Sequence, residues 1–378
     1  MKTRWEYLEF EDCIDKIVYT NKIKRKDFLV KGEYKIISQE ENYINGYWNA
    51  ESDLFKIIKP VVIFGDHTKN LKYIDFDFVL GADGVKIFQP IDCINTKYFY
   101  YFLKSVKLKD LGYARHYRLL KEIKVPLPPI PEQKRIVKIL DEAFAAIDKA
   151  KANAEKNLQN SRELFDSYLN KVFANPGEDW EEKKLGEVCL LKSGTTISKR
   201  IEKSAGEILY AKVADMNLKG NEISINNSAR FANLCDIKKN QIIPIGAVIF
   251  PKRGGAIFTN KKRKIVKPTI VDLNTMAIIP TPKINENFLY YWFSKIDLSK
   301  LNTGSSIPQI NNYSFDDVKI SFPKSVTSQK KIVAVLDRLF TETQKLKSIY
   351  QQKLADLEEL KKSILQKAFE GQLTRNNG

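Results

Sequence analysis

A 41-residue stretch occurs twice, and this constrains the plan of the chain more than any other feature. Residues 133–173 align without a gap with 329–369, 196 positions later, and 16 of the 41 positions are identical. An internal repeat means one supersecondary unit used more than once. Ile136, Val137, Leu140, Asp141 and Phe144 answer to Ile332, Val333, Leu336, Asp337 and Phe340. Chance likeness between two helices does not hold register over such a length.

Both copies read as long helices. Leu336, Thr343, Tyr350, Leu357 and Ile364 recur every seven residues, with Leu339, Leu346 and Leu360 on the complementary seam. In the first copy Leu140, Ile147, Ala154, Ser161 and Tyr168 form one stripe, and Ala143, Ala150 and Leu164 the next. A narrow 3.5-residue period predicts helix-on-helix pairing. Pro131 suits the start of the first helix and Thr327 or Ser328 the N-cap of the second. "ANPG" at 174–177 and Gly371 supply the stops. At 1.5 Å per residue each helix would extend roughly 60 Å. The simplest partner for each is the other, antiparallel.

The segments between the helices are two versions of one plan. Short β-prone runs ("YKIIS", "KPVVIFG", "FDFVLGADGVKIF") fill the first, and "EILYAKV", "GAVIFPK" and "TIVDLNTMAIIP" the second. An aromatic helix then follows in each, "NTKYFYYFLKS" and "NENFLYYWFSK". The expected fold class is α+β. Two mixed α/β domains, 1–130 and 176–326, alternate with a central helix, 131–175, and a C-terminal helix, 327–374.

The formal net charge of +17 favours polyanionic partners. Lys252, Arg253, Lys261, Lys262, Arg263, Lys264 and Lys267 fall in 16 residues with no acid among them, and Gly254–Gly255 suggests a turn presenting them as a basic hairpin. Two further loops suit base edges. "YARHYR" at 113–118 carries Arg115, His116, Tyr117 and Arg118. "TGSSIPQINN" at 303–312 carries Ser305, Ser306, Gln309 and Asn311. Arginine fits guanine, and glutamine or asparagine fits adenine. Both loops occupy the same place in their repeat, just before the run into the long helix.

Enzyme chemistry is missing. There is no GxxxxGK[ST] loop, no glycine-rich dinucleotide turn, and no Asn/Asp-Pro-Pro-aromatic motif of amino-methyltransferases. Four scattered cysteines and two histidines predict no zinc site and no catalytic set. No apolar run reaches the roughly 18–20 residues of a membrane span, and the N-terminus has no signal-peptide core. A protein of the cytoplasm that binds without catalysing is expected. The competing reading is a coiled-coil scaffold with incidental basic charge.

The stretches "IKVPLPPIPEQKRIVKILDEAFAAID" (123–148) and "KIVAVLDRLFTETQKLKSIYQQKLADLEELKKSILQKAFEGQLT" (331–374) resemble the specificity (S) subunit of Type I restriction-modification systems. "W…KKLGEV" at 180–188 and "KSGTT" at 192–196 look like the opening of a target recognition domain. The first domain lacks the Leu-Gly-Glu/Asp-Val signature, and the second "PLPP" is eroded to "ISFPKSV". The resemblance implies a prokaryotic, non-catalytic subunit whose two target recognition domains read the halves of a bipartite double-stranded DNA site. It implies that the helices set the gap and dock two methyltransferase subunits, with restriction (helicase-nuclease) subunits joining them. S-adenosylmethionine would be carried by the methyltransferase, and this chain would hold no cofactor or metal. Spacing and docking would fall to Gln133, Ile136, Leu140, Phe144, Gln329, Ile332, Leu336, Phe340, Leu357 and Ile364.

Overall fold

The computed structural model describes residues 5–112, 114–304 and 306–373. The chain divides into two compact units, and the division falls inside both long helices. One unit holds residues up to Lys156 and those from Tyr350 onward; the other holds Asn157–Ile349. Each therefore contains one globular domain, the start of the long helix that follows it, and the end of the other long helix.

In the first unit, Val61–Gly65 pairs antiparallel with Leu71–Ile74 and Val85–Phe88. A second sheet runs Lys22–Ile23, Phe78–Gly81, Tyr34–Ile37, Gly46–Trp48, with parallel and antiparallel neighbours. In the second unit Val248–Pro251 lies between Thr275–Pro280 and Arg263–Ile265, and Ile208–Ala211 between Phe231–Ala232 and Thr269–Val271. The strands expected at 34–37, 61–65, 208–211 and 248–251 form where β-branched and aromatic residues cluster. Val61–Gly65 and Val248–Pro251 are buried throughout, as befits strands covered on both faces.

The aromatic helices are Thr96–Ser105 and Glu286–Ser294. Asn95 and Asn285 cap them, each side chain accepting two backbone N–H groups of the first turn. Each buries its aromatic face and receives the end of a long helix. Phe369 packs on Tyr98 at 5.2 Å in the first unit, and Phe173 on Phe288 at 5.2 Å in the second.

The long helices span Ile130–Ala174 and Val326–Phe369. The second starts earlier than its sequence suggests. Ser325 takes the capping place, its Oγ accepting Thr327 N–H at 3.2 Å, because Thr327 and Ser328 already lie in the first turn. Within the first unit the helices run antiparallel: Lys151 pairs with Glu358 at 2.6 Å and Asp148 with Lys361 at 3.0 Å, one position rising as its partner falls. In the second unit Phe165 meets Phe340 edge-on at 5.3 Å. Leu140, Ile147, Ala154, Ser161, Leu336 and Thr343 are buried, whereas Leu164, Leu346 and Leu360 on the complementary seam are 37–52% exposed. The first seam is thus the better buried, although Tyr168 on it is 36% exposed, and the complementary seam is left partly open to solvent.

A glutamine near the start of each long helix joins it to its domain. Gln133 Oε1 accepts Asn95 N–H at 2.8 Å, while its Nε2 donates to Cys93 O at 2.9 Å and Pro128 O at 2.8 Å. Gln329 does the same with Asn285 N–H at 2.7 Å, Lys283 O and Pro323 O, both at 2.9 Å. Both side chains are fully buried. Two turns later, Tyr101 donates to Asp141 and Tyr291 to Asp337, each at 2.5 Å. Burial and then the aspartate push both tyrosine hydroxyls well above their usual pKa.

Removing the glutamine amide orphans one donor and two acceptors. Gln133→Ala should cost about 2–4 kcal/mol, at roughly 1 kcal/mol or more per unsatisfied group. Urea unfolding is the measurement. A loss no larger than that of an exposed control such as Gln159→Ala would show that the latch contributes nothing.

Candidate nucleic-acid interface

The second unit brings two separate sequence motifs together. Lys252 N–H donates to Asn274 O at 2.8 Å, and Ile310 N–H donates to Lys252 O at 2.8 Å. Gly254 N–H donates to Pro308 O at 2.7 Å, and Arg253 and Gln309 form an isolated antiparallel bridge. The start of the basic run and the polar loop therefore lie side by side. The loop is held from within: Asn302 Oδ1 accepts Gly304 N–H at 3.1 Å and Gln309 N–H at 2.7 Å. A Cβ on Gly304 would lie 2.0 Å from Ile307 O, so only glycine allows this closure. Arg253 and Ser306 are exposed. Gln309 Nε2 donates to Asn311 Oδ1 at 2.9 Å, orienting both amides. Lys252 Nζ donates to Ser193 Oγ at 2.9 Å, adding the "KSGTT" segment to the same group. Ser305 lies outside the described residues.

The rest of the basic run faces elsewhere. Strands 248–251 and 263–265 pair antiparallel, as a hairpin requires, but their connection contains a short 3-10 helix, Gly255–Thr259. Lys261 bonds to Asn217. Lys262 is buried, donating to Asn260 Oδ1 at 2.7 Å and to Ile296 O, with its ammonium over the Phe293 ring. Burial lowers its pKa to about 8. Arg263 is half-buried and donates to Lys262 O at 2.8 Å and Met216 O at 2.9 Å. Lys264 donates to Asn287 Oδ1 at 2.9 Å and lies over Tyr290. The expectation of a continuous basic hairpin is corrected here. A buried ammonium such as that of Lys262 holds the domain together and cannot reach a phosphate.

In the first unit the 113–118 loop is anchored in the same way, though Tyr113 lies outside the described residues. Asp66 N–H donates to Gly84 O at 2.7 Å, and His116 N–H donates to Asp66 O at 2.8 Å. His116 is fully buried. Its Nε2 accepts Leu111 N–H at 3.1 Å, which leaves Nδ1 to donate to Asp66 O at 3.1 Å. It pins the loop and cannot touch a base, a second correction with the same cause. Tyr117 is held by Asp66 Oδ1 through its N–H at 2.7 Å, and its ring stacks on Phe88. Arg115 and Arg118 remain exposed on this anchored loop.

The helix residues expected to space and dock divide differently. Gln133, Ile136, Leu140, Phe144, Gln329 and Leu336 are buried in the cores of their own units. Ile332, Phe340, Leu357 and Ile364 are half-buried. The buried six join helix to domain, so a partner subunit has no access to them. Sequence reading also passed over "KIKRK" at 22–26, where Lys22, Lys24, Arg25 and Lys26 are all exposed. Four cations in five residues were the available signal.

Residues 2–157 and 177–355 match the family described as "Type I restriction modification DNA specificity domain". The chain is 27% identical over 342 residues to the Type I restriction enzyme EcoR124I/EcoR124II specificity subunit of Escherichia coli, covering 85% of this chain and 83% of that one. It is 26% identical to the Type I restriction enzyme MjaVIII specificity subunit of Methanocaldococcus jannaschii, covering 79% and 75%. Its fold is similar to the HsdS subunit from Thermoanaerobacter tengcongensis, with a TM-score of 0.61, 18% identity, and 99% and 98% covered. A chain solved in work on complex assembly and conformational transition of the type I R-M system is similar at a TM-score of 0.74, 16% identity and 98% of each chain. Among the described residues no helix is long and apolar enough to cross a membrane.

The depressed pKa of Lys262 makes a pH prediction. Between about 8 and the usual lysine value of roughly 10.4, the unfolded chain binds more protons than the folded one, so this group makes stability rise with pH. Lys262→Met should flatten the rise in unfolding free energy between pH 8 and 9.5, leaving the share of Lys72, which burial also lowers to about 8. Chemical denaturation across that range checks it. An unchanged slope would mean that the ammonium is not buried in solution.

Proposed function

Given that the chain belongs to the Type I restriction-modification DNA specificity family, we propose that it is the non-catalytic subunit that selects the DNA site for a Type I restriction-modification enzyme. It reads a bipartite target and docks the methyltransferase and restriction subunits. Residues 1–130 and 176–326 serve as the target recognition domains, and 131–175 and 327–374 as the spacer.

One observation carries the reading to particular residues. Each unit hangs an exposed polar loop, by backbone hydrogen bonds, from the turn that follows a strand buried along its whole length. Arg115 and Arg118 in the first unit, and Arg253, Ser306, Gln309 and Asn311 in the second, are the side chains this arrangement offers to base edges. Lys22, Lys24 and Lys26 supply phosphate contacts in the first domain, and Lys252 in the second. Phosphate contacts give affinity that falls with salt, and base contacts give discrimination.

The experiment is methylome sequencing after co-expression with the cognate methyltransferase. A split motif is expected. Gln309→Ala should relax one position of one half-site by about 1–3 kcal/mol and leave the other half intact. Arg253→Ala should weaken binding of the target, measured by fluorescence anisotropy. Deleting one heptad from each helix should shorten the tolerated gap without changing the half-sites. Altered half-sites with an unaltered gap would remove the spacer role.

A further inference from the structure

Two backbone hydrogen bonds at the turn and loop of one unit have counterparts in the other. Asp66 N–H to Gly84 O corresponds to Lys252 N–H to Asn274 O, at 2.7 and 2.8 Å. His116 N–H to Asp66 O corresponds to Ile310 N–H to Lys252 O, both at 2.8 Å. These bonds set Asp66 against Lys252 and His116 against Ile310 in the repeat. The next residue of the turn is then His67 in one unit and Arg253 in the other. The preceding residue of the loop is Arg115 in one and Gln309 in the other. Arg253 and Gln309 are bridged neighbours.

We infer that His67 and Arg115 form the first unit's base-reading pair, with His67 as a specificity-determining residue for the first half-site. The inference rests on the proposed DNA-reading role and assigns a residue within it.

The turn that carries His67 is rigid. Lys69 N–H closes it onto Gly65 O at 2.8 Å, and Gly65 N–H onto Asn70 O at 2.9 Å. Gln39 pins it from the neighbouring sheet. Its Oε1 accepts His67 N–H at 3.2 Å, and its backbone oxygen accepts Thr68 Oγ1–H at 2.6 Å and Asn70 Nδ2–H at 3.0 Å. The ring lies over Gly84, where a Cβ would come within 2.8 Å of His67 Cδ2. Gly84 also has φ +75°, so a side chain there is excluded twice over. The imidazole is half-buried and carried on a fixed support, which is what a base contact requires of its first residue. An imidazole can donate to guanine N7 or O6, or accept from the exocyclic amine of adenine or cytosine, so it can discriminate between base pairs in the major groove.

The test uses the full chain with its methyltransferase subunit and reads methylated motifs by sequencing. Arg115→Ala first shows which half-site the first unit reads. His67→Ala should then reduce discrimination at one base pair of that same half-site by roughly tenfold, with the gap and the other half-site unchanged. His67→Arg, which gives the turn the residue found at 253, should shift that position toward guanine. Circular dichroism melting verifies that both variants fold; should His67→Ala not fold, His67→Arg and His67→Gln carry the test. Unchanged motifs in the folded variants, or a change in the other half-site, would overturn the assignment while leaving the general role standing. A wild-type complex that yields no split motif would overturn the general role, and the assignment with it.

Discussion

The buried glutamine latch is the interaction on which the rest of the architecture depends. One amide side chain satisfies three backbone groups from two segments: the N-cap residue and the turn of the aromatic helix, and the extended run leading into the long helix. A buried amide must be fully bonded or it costs more than it contributes. That requirement fixes both position and direction. The long helix can leave its domain at only one angle, because any other would orphan one of the three groups. A helix used to hold a distance is useful only if its base cannot swivel. Gln133 and Gln329 supply that rigidity by the same geometry, and the Tyr101–Asp141 and Tyr291–Asp337 bonds repeat the constraint further along.

The repeat has diverged where divergence costs little. Lys151 with Glu358, and Asp148 with Lys361, form interhelical pairs in the first unit. Their counterparts in the second are Lys347 with Arg162, and Gln344 with Phe165. Where the first unit has two attractive pairs, the second has two like charges and an amide set against a phenylalanine. Exposed ion pairs are screened by solvent and salt and contribute little. The loss is offset by Phe165, which packs on Phe340 and on Tyr291. The latch, by contrast, is identical in both units, because no partial version of it satisfies the same groups.

What the sequence made legible was periodic or local. The strands at 61–65 and 248–251, the two aromatic helices and the two long helices all follow from side-chain period and composition. So does the equivalence of Gln133 and Gln329, although not their bonding, since two of each one's three partners lie about 40 residues away. The errors share one physical cause. Lys262 and His116 read as surface groups because charge and polarity usually remain in water. The fold buries both by supplying hydrogen bonds from Ile296, Asn260, Leu111 and Asp66. Such compensation depends on tertiary neighbours and leaves no mark at the residue itself. Buried and exposed heptad leucines were likewise indistinguishable, because Leu164 and Leu346 carry the same side chain as buried Leu140 and Leu336.

The way the polar loops are held explains how one scaffold can carry different side chains in its two halves. Four of the bonds that anchor them join main-chain atoms: Asp66 to Gly84 and His116, Lys252 to Asn274 and Ile310. Side chains at 67, 115, 253 and 309 take no part in these four bonds. Exchanging any of these side chains removes no atom from the four bonds. The strands beneath, 61–65 and 248–251, are buried along their whole length and do not share that freedom. Stability is therefore concentrated in one set of positions and side-chain variety in another. A domain built this way can change what its loop touches while its core and its latch stay the same.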